Sequence, residues 1–140
     1  MNQEIINYLN KFRTQYLADL GCTITDASQE EQFCKMEFDI SERYCHVDSI
    51  IQGGFVTAML DAVTAHVVFA VVPKIKGLST LELKVSFYEA SRAGKLFAVG
   101  RIDRLGKSIA FLSGDLYNEA GQRTASITTT AKFVVEKNPS

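Results

Sequence analysis

Hydrophobic and polar positions change their spacing along this 140-residue chain, and the first spacing is helical. Residues 2–20 carry apolar side chains three or four positions apart, as on one face of a helix, and Gly21 ends the pattern. The spacing predicts an N-terminal amphipathic helix within residues 1–20. Its apolar positions are Ile5, Ile6, Leu9, Phe12, Tyr16, Leu17 and Leu20.

Strand spacing, in which every second side chain is apolar, then takes over. In the segment 32–40 the side chains predicted to share one face are Cys34, Met36, Phe38 and Ile40. Residues 41–51 have no such period and are expected to form a loop.

The second half of the chain, residues 77–135, predicts an antiparallel meander. Its strands are expected at 81–88, 96–102, 109–117 and 124–135, with turns at 93–94, 105–107 and 118–121. In the first of these strands the apolar positions are Leu81, Leu83, Val85 and Phe87.

A long apolar segment, 53–71, separates the two strand regions. It is apolar nearly all round, which predicts a buried helix, and Pro73 stops it. Gly53 and Gly54 open this helix, and it carries one carboxylate, Asp61. Such a carboxylate is costly unless it is paired, hydrogen-bonded or used in chemistry. The N–H groups at the glycines offer an anion or oxyanion site at the positive end of the helix dipole.

The spacing of these two features predicts a site shared by two chains. Gly53 and Asp61 are eight residues apart, which is about 12 Å along a helix that rises about 1.5 Å per residue. A reacting carbonyl must lie roughly 3 Å from both an oxyanion donor and an attacking group. If the two features cooperate, the helix therefore meets a second copy of itself, roughly antiparallel, in a symmetric dimer.

Together these elements predict an α+β fold in a single domain, residues 1–140. Four or five antiparallel strands form a sheet that wraps around the central helix. The lengths agree, because a helix of about 19 residues spans about 28 Å and strands of about nine residues span a similar distance.

Composition and charge narrow the function. The net charge of -1 argues against a nucleic-acid-binding protein, which usually has a basic excess. The three cysteines, Cys22, Cys34 and Cys45, lack CxxC spacing, which favours reduced thiols in the cytoplasm over disulfides or a zinc site. The N-terminal residues lack the pattern of a signal peptide. The apolar run 63–72 is too short to span a membrane, so no membrane partner is expected.

Three motifs resemble those of the hotdog-fold acyl-CoA thioesterases, specifically the PaaI-like group of phenylacetate and hydroxybenzoate pathways. The first, Gln52-Gly53-Gly54 with Asp61 after an apolar run, stands where the family has His-Gly-Gly and its Asp. The second is the strand 79–90 that Thr80 opens, and the third is the turn Gly106-Lys107-Ser108.

The chain departs from the family pattern at three positions. Gln52 replaces the usual His, His46 replaces the usual Asn, and Ser49 stands where Gly is common.

The resemblance implies a hotdog fold and hydrolysis of an aryl- or medium-chain acyl-CoA. Coenzyme A is part of this substrate, and no separate cofactor or metal is implied. In the family's pattern Asp61 is the general base or nucleophile, and the N–H groups of Gly53 and Gly54 form the oxyanion hole. Gln52 positions the thioester carbonyl, and Thr80 holds the attacking water. The candidate substrate contacts are His46, Thr57, Thr64, Lys107 and Ser108. A homo-oligomer, either a dimer or a dimer of dimers, is the implied assembly.

Several candidates also have interpretations without chemistry. Asp61 can be a buried acid bonded to Thr57 or Thr64 one turn away. The glycines can serve close packing, and Gln52 can cap the helix. His66 is interpreted as a hydrogen-bonded core histidine, and Cys45 is a weak nucleophile candidate without an adjacent base.

The basic residues near two turns form either a solvated face or a docking site for the phosphates of coenzyme A. They are Arg92, Lys95, Arg101, Arg104 and Lys107.

Two other functions fit the same fold. One is a non-catalytic acyl-CoA-binding protein that acts as a ligand sensor or carrier. The other is a hotdog dehydratase, which would pair a catalytic acid with a catalytic His in a fixed motif that this sequence lacks.

Overall fold

The computed structural model describes residues 2–11 and 13–137 of the chain. In chain order the elements are α1 (Asn2–Lys11), α2 (Gln15–Asp19), β1 (Thr23–Ser28), β2 (Phe33–Ile40), α3 (Gly53–Val71), β3 (Ile75–Phe87), β4 (Gly94–Leu105), β5 (Ile109–Tyr117) and β6 (Arg123–Val135). Two short 3-10 turns, Glu42–Tyr44 and Val47–Ser49, lie in the connection from β2 to α3.

The six strands of the described chain form one antiparallel sheet in the order β1-β2-β4-β5-β6-β3. Helix α3 lies across the inner face of this sheet and contacts every strand. The predicted α+β fold, a sheet wrapped around a central helix over residues 53–71, is confirmed.

The predicted meander is correct for β4, β5 and β6 but wrong for β3. Strand β3 pairs with β6 at the far edge, and β4 pairs with β2. The reason is that α3 crosses the inner face of the sheet and carries the chain to the opposite edge before β3 begins. The sheet also has six strands where four or five were expected.

The alternating apolar side chains of β2 face the core, as expected. Cys34, Met36, Phe38 and Ile40 are all buried, at 0–2% exposure. Facing them, α3 buries apolar side chains around most of its circumference. By length and composition α3 could span a membrane, but 61% of its apolar window is buried inside the protein, as in a core helix.

The predicted N-terminal helix is present, but the structure divides the segment into two helices, α1 and α2. Thr14 has extended dihedrals and stands as the N-cap of α2, a position that threonine favours over a helix interior. The side-chain amide of Asn10 bonds both the N–H and the C=O of Ile24 on β1, at 3.3 and 3.4 Å. These bonds hold α1 against that edge of the sheet. Phe12, part of the predicted apolar face, lies outside the described residues.

The apolar face of β3 is open. Leu81, Leu83 and Phe87, three of the predicted apolar positions of this strand, are 57%, 37% and 54% exposed. They are exposed because β3 is an edge strand, paired only with β6, beyond the part of the sheet that α3 covers best.

Two neighbouring glycines let α3 approach the sheet closely. Gly100 on β4 pairs with Gly114 on β5. A Cβ at Gly100 would lie 2.5 Å from the carbonyl oxygen of Val63 on α3, and one at Gly114 would lie 3.2 Å from Cγ2 of Thr64. The backbone of α3 therefore rests on the sheet at a place where no side chain fits.

We expect Gly100→Ala to destabilise the protein by about 1–3 kcal/mol, because the added methyl group must displace helix backbone. Chemical denaturation would measure the free energy of unfolding. Gly77→Ala is the matched control, since a Cβ at that strand position meets no atom within 4 Å. Equal effects of the two substitutions would contradict the close approach.

Candidate active site

Asp61 and Thr80 form the centre of the site. Asp61 lies in the first half of α3 and is half-buried, on the side of the helix that faces β3. The hydroxyl of Thr80 donates a hydrogen bond of 2.8 Å to Oδ1 of Asp61. Among residues 2–11 and 13–137 no other donor bonds this carboxylate, which leaves Oδ2 available to a water or a substrate.

A bulge in β3 directs Thr80 toward the helix. The pairing with β6 shifts between Thr80 and Glu82, so Leu81 is an extra residue opposite the partner strand. On the N-terminal side of the bulge Thr80 pairs with the buried Ala131, and on its C-terminal side Leu83 pairs with the buried Thr129. Without the bulge Thr80 and Leu83 would lie on opposite faces, since side chains alternate along a strand.

Gln52 caps the start of α3. Its Oε1 accepts a hydrogen bond of 2.7 Å from the N–H of Gly54, and its carbonyl accepts one of 2.9 Å from the N–H of Phe55. A Cβ at Gly54 would lie 2.8 Å from the same Oε1, so this folded-back side chain requires a glycine there. In the described part of the chain no acceptor bonds the N–H of Gly53.

A cavity of about 440 Å³ opens at this end of α3. Gly53, Val56, Phe87 and the exposed His46 are among its lining residues. The structure therefore brings His46 and Gly53 together, as expected from their places in the motif.

The loop before α3 is held by its own contacts. Asp48 and Ser49 both adopt left-handed φ angles, 56° and 60°. Ser49 donates a hydrogen bond of 2.6 Å to Glu42, and the guanidinium of Arg92 donates to the carbonyl of Asp48. The left-handed φ at Ser49 gives a physical reason why glycine is common at this position in the family.

Thr57 and Thr64 both donate hydrogen bonds to carbonyls of their own helix. The Thr57 hydroxyl donates to the carbonyl of Gly53 at 2.9 Å, and the Thr64 hydroxyl donates to the carbonyls of Leu60 and Asp61 at 3.1 Å. Neither bonds the Asp61 carboxylate. Thr64 is also fully buried, so the predicted substrate contact is wrong for this residue, which packs α3 against the sheet.

The basic residues do not form one cluster. Arg101 bonds the buried Asp115 at 2.7 Å, and Arg92 holds the loop before α3. Lys107 and Ser108 are exposed in the β4–β5 turn. Strand β6 lies between this turn and Thr80 in the sheet. The turn is therefore roughly two strand spacings, about 10 Å, from Thr80 across the sheet.

Cys45 is not an activated thiol. Desolvation and the nearby Glu42 raise its pKa, whereas a nucleophilic cysteine has a lowered pKa. His66 is the hydrogen-bonded core histidine that was predicted, because its Nδ1 lies 2.8 Å from the carbonyl oxygen of Ala62 and the residue is 8% exposed.

Tyr16 is a neighbour of the site that the sequence did not indicate. Burial raises the pKa of its phenol, and the negative charge of Asp61 raises it further. The residue was interpreted only as part of an apolar helix face, and the polar tip of its ring was the one available signal.

Within a single chain the two parts of the site, the Asp61 carboxylate and the start of α3 at Gly53, are separate. The carboxylate of Asp61 is eight residues from Gly53 along the continuous helix α3, hence about 12 Å away. Within the described ranges no group of three His, Cys, Asp or Glu side chains is arranged to hold a metal ion.

The model of the thioesterase superfamily matches residues 49–125, more than half of the chain. The matched segment includes Gln52, Asp61 and Thr80. No curated protein sequence gives a significant match.

Solved structures agree with the family match. A phenylacetic acid degradation-related protein from Ralstonia eutropha JMP134 is 27% identical, with a TM-score of 0.83 over 91% of this chain and 98% of that one. A thioesterase from Haemophilus influenzae is 18% identical, with a TM-score of 0.82 over 93% and 90%. The E. coli PaaI protein from the phenylacetic acid degradation operon is 14% identical, with a TM-score of 0.81 over 92% and 91%. These matches confirm the PaaI-like resemblance and the hotdog fold.

We expect Asp61→Asn to lower the pKa of Tyr16 toward the ordinary tyrosine value, because the neutral amide no longer opposes formation of the phenolate. Ultraviolet titration of tyrosinate in both proteins would detect the shift. Tyr16→Phe in each background identifies the contribution of this residue among the five tyrosines. Identical Tyr16 titrations with and without the carboxylate would show that the two groups are not neighbours.

Proposed function

This chain belongs to the thioesterase superfamily, and we propose that it hydrolyses acyl-CoA thioesters to the free acid and coenzyme A. The observation that carries the proposal is the hydrogen bond of 2.8 Å from Thr80 to Asp61. It fixes one carboxylate oxygen and leaves the other available to a water molecule. Medium-chain and aryl acyl groups are the proposed substrates.

Asp61 acts as the general base in this proposal. Its Oδ2 takes a proton from a water molecule as the water oxygen bonds to the thioester carbon. The tetrahedral intermediate then collapses, the C–S bond breaks, and the proton passes to the departing thiolate. Attack by Asp61 itself would instead expel the thiolate and give a mixed anhydride. If water then adds to the Asp61 carboxyl carbon, a single turnover in ¹⁸O-water leaves label in that carboxylate, which the general-base route never does.

The oxyanion hole is proposed at the start of α3. Because Oε1 of Gln52 accepts from Gly54, the amide nitrogen of Gln52 is free to donate to a thioester oxygen. The N–H of Gly53 is the second donor, and it adjoins the cavity of about 440 Å³. In this proposal Gly54 acts by holding Gln52, and its own N–H becomes a donor only if Gln52 moves away.

Two copies of the chain are needed to complete the site. The donors at Gly53 lie about 12 Å from Asp61 of the same helix, and β3 offers an open edge with exposed Leu81, Leu83 and Phe87. Phe87 also lies against the start of α3, 3.4 Å from the Cβ position of Gly53. We propose that a second copy covers this face and brings its own α3 start to Asp61. A dimer of dimers would repeat the same pair of sites.

Lys107 and Ser108 are proposed contacts for the phosphates of coenzyme A. They are exposed at the end of the sheet where Thr80 lies, and a lysine on a turn is a usual phosphate ligand. The free thiols of Cys22, Cys34 and Cys45 support a reducing, cytoplasmic location.

A non-catalytic acyl-CoA-binding protein is the second candidate function. The observation that favours it is the N-terminus of α3, where Gln52 replaces the family's His and occupies the N–H of Gly54. Assays of acyl-CoA thioesters with a thiol reagent separate the candidates, because a binding protein releases no coenzyme A.

We expect Asp61→Asn to lower kcat by about 10²–10⁴, because an amide cannot accept the proton from water. Steady-state kinetics on the best acyl-CoA substrate would measure the loss. Asp103→Asn is the matched control: Asp103 also accepts a hydroxyl hydrogen bond, from Ser113 at 2.9 Å, but Ser113 lies on the outer face of the sheet. An unchanged kcat in Asp61→Asn would exclude the assigned role.

We expect mixed dimers of Asp61→Asn and Gly54→Val subunits to regain activity that neither parent has. Valine at position 54 displaces the Gln52 amide, whose Oε1 is 2.8 Å from that Cβ position. In a mixed dimer one of the two sites keeps both intact parts, so random mixing restores about a quarter of the original activity. Activity assays after subunit exchange would measure it.

The control for this experiment is each variant exchanged with itself, which should stay inactive and folded. If the mixture is as inactive as its parents, the site lies within one chain. A fully active monomer by light scattering at assay concentration would contradict the dimer as well.

A further inference from the structure

A second cavity opens between the N-terminal helices and α3. Its volume is about 370 Å³, at the lower end of the roughly 300–1,000 Å³ typical of ligand pockets. Apolar side chains dominate its wall, among them Leu9 and Leu17 from the N-terminal helices and Ala65 and Phe69 from α3. A small apolar group, and not a nucleotide, matches this size and lining.

The wall of this cavity begins one helical turn from Asp61. Ala65 lies one turn after Asp61 on α3 and Phe69 lies one turn further, so the three residues follow one face of the helix. Tyr16 lines the cavity and is also close enough to Asp61 for the carboxylate to raise the pKa of its phenol. A group attached to a thioester carbonyl at Asp61 would therefore lie close to this space.

His66 is the polar exception in the wall. It is 92% buried, since only 8% is exposed, and its ring packs edge-on against Phe69 with the ring centroids 5.5 Å apart. Nδ1 lies 2.8 Å from the carbonyl oxygen of Ala62. Because a carbonyl only accepts, Nδ1 carries the proton of the neutral ring, and Nε2 has a lone pair.

This lone pair has no hydrogen-bond partner within the described residues. Burial lowers the pKa of His66, which keeps the ring neutral near pH 7. No hydrogen bond to Nε2 exists among the residues that the structure describes, and no fully enclosed side-chain nitrogen or oxygen there lacks a partner. Nε2 is therefore accessible, and the cavity that His66 lines is the space that it reaches.

We propose that this cavity is the acyl subsite and that Nε2 of His66 accepts a hydrogen bond from a hydroxyl at the far end of the acyl group. The proposal rests on the thioesterase function proposed above. It makes His66 a specificity-determining residue for medium-chain acyl groups that carry a terminal hydroxyl, since an acyl group without a donor leaves a buried acceptor unpaired.

The test compares 6-hydroxyhexanoyl-CoA with hexanoyl-CoA. In His66→Phe the ratio of their kcat/KM values, hydroxylated over plain, should fall at least about tenfold, because the ring shape stays and the acceptor goes. The carbonyl of Ala62 is not orphaned by this change, since it also accepts the main-chain N–H of residue 66 within the helix. An unchanged ratio overturns the proposal.

Two further variants control the result. Phe69→Leu changes the same wall without touching a polar atom, so the two kcat/KM values should shift together and the ratio should stay. His66→Gln keeps an acceptor oxygen and should retain more of the ratio than His66→Phe. If His66→Phe does not fold by circular dichroism, the ratio in His66→Gln compared with His66→Leu decides.

Binding separates this proposal from the thioesterase function. Calorimetry on Asp61→Asn should show tighter binding of 6-hydroxyhexanoyl-CoA than of hexanoyl-CoA, and the preference should vanish in Asp61→Asn combined with His66→Phe. If the unaltered protein cleaves neither thioester yet the binding preference follows His66, the subsite stands and the hydrolase fails. If it cleaves both and no measurement depends on His66, the hydrolase stands and the subsite fails.

Discussion

The close approach of α3 to the sheet at Gly100 and Gly114 is the constraint on which the site depends. A Cβ at Gly100 would lie 2.5 Å from the carbonyl of Val63, so the helix rests on backbone and not on side chains. Asp61 is two residues before Val63, and the depth of the helix therefore sets how far its carboxylate reaches toward β3. The hydrogen bond from Thr80, at 2.8 Å, allows little displacement.

Much of this architecture is predictable because it depends on local pattern. Helix α3 has the bounds expected, 53–71, since the diglycine and Pro73 mark its ends. The buried face of β2 follows from simple alternation. The contact between Thr80 and Asp61 does not follow from alternation, because the bulge at Leu81 changes which side chains face inward. The family resemblance assigned Thr80 to the site, as the residue that holds the attacking water. Periodicity alone would have turned Thr80 away from the helix.

The remaining differences arise from long-range geometry. The position of β3 beside β6 depends on where α3 delivers the chain, which no local pattern encodes. The break at Thr14 and the nearness of Tyr16 to Asp61 depend on how the N-terminal segment packs against α3 and β1. Thr64 was expected to be a substrate contact, but its methyl group faces Gly114 in the core. Spacing along a helix predicts the direction of a side chain, but only the packing of the chain decides which residues it contacts.

The two edge strands of the sheet, β1 and β3, differ in how they are protected. At β1 the side chain of Asn10 takes the place of a neighbouring strand by bonding both backbone groups of Ile24, and a further strand would have to displace it. At β3 the backbone and an apolar face remain open. Any association through strand edges would therefore use the open edge of each copy and end at a pair. Because one edge of the sheet is protected in the described part of the chain, pairing of strand edges cannot extend the sheet into a fibre.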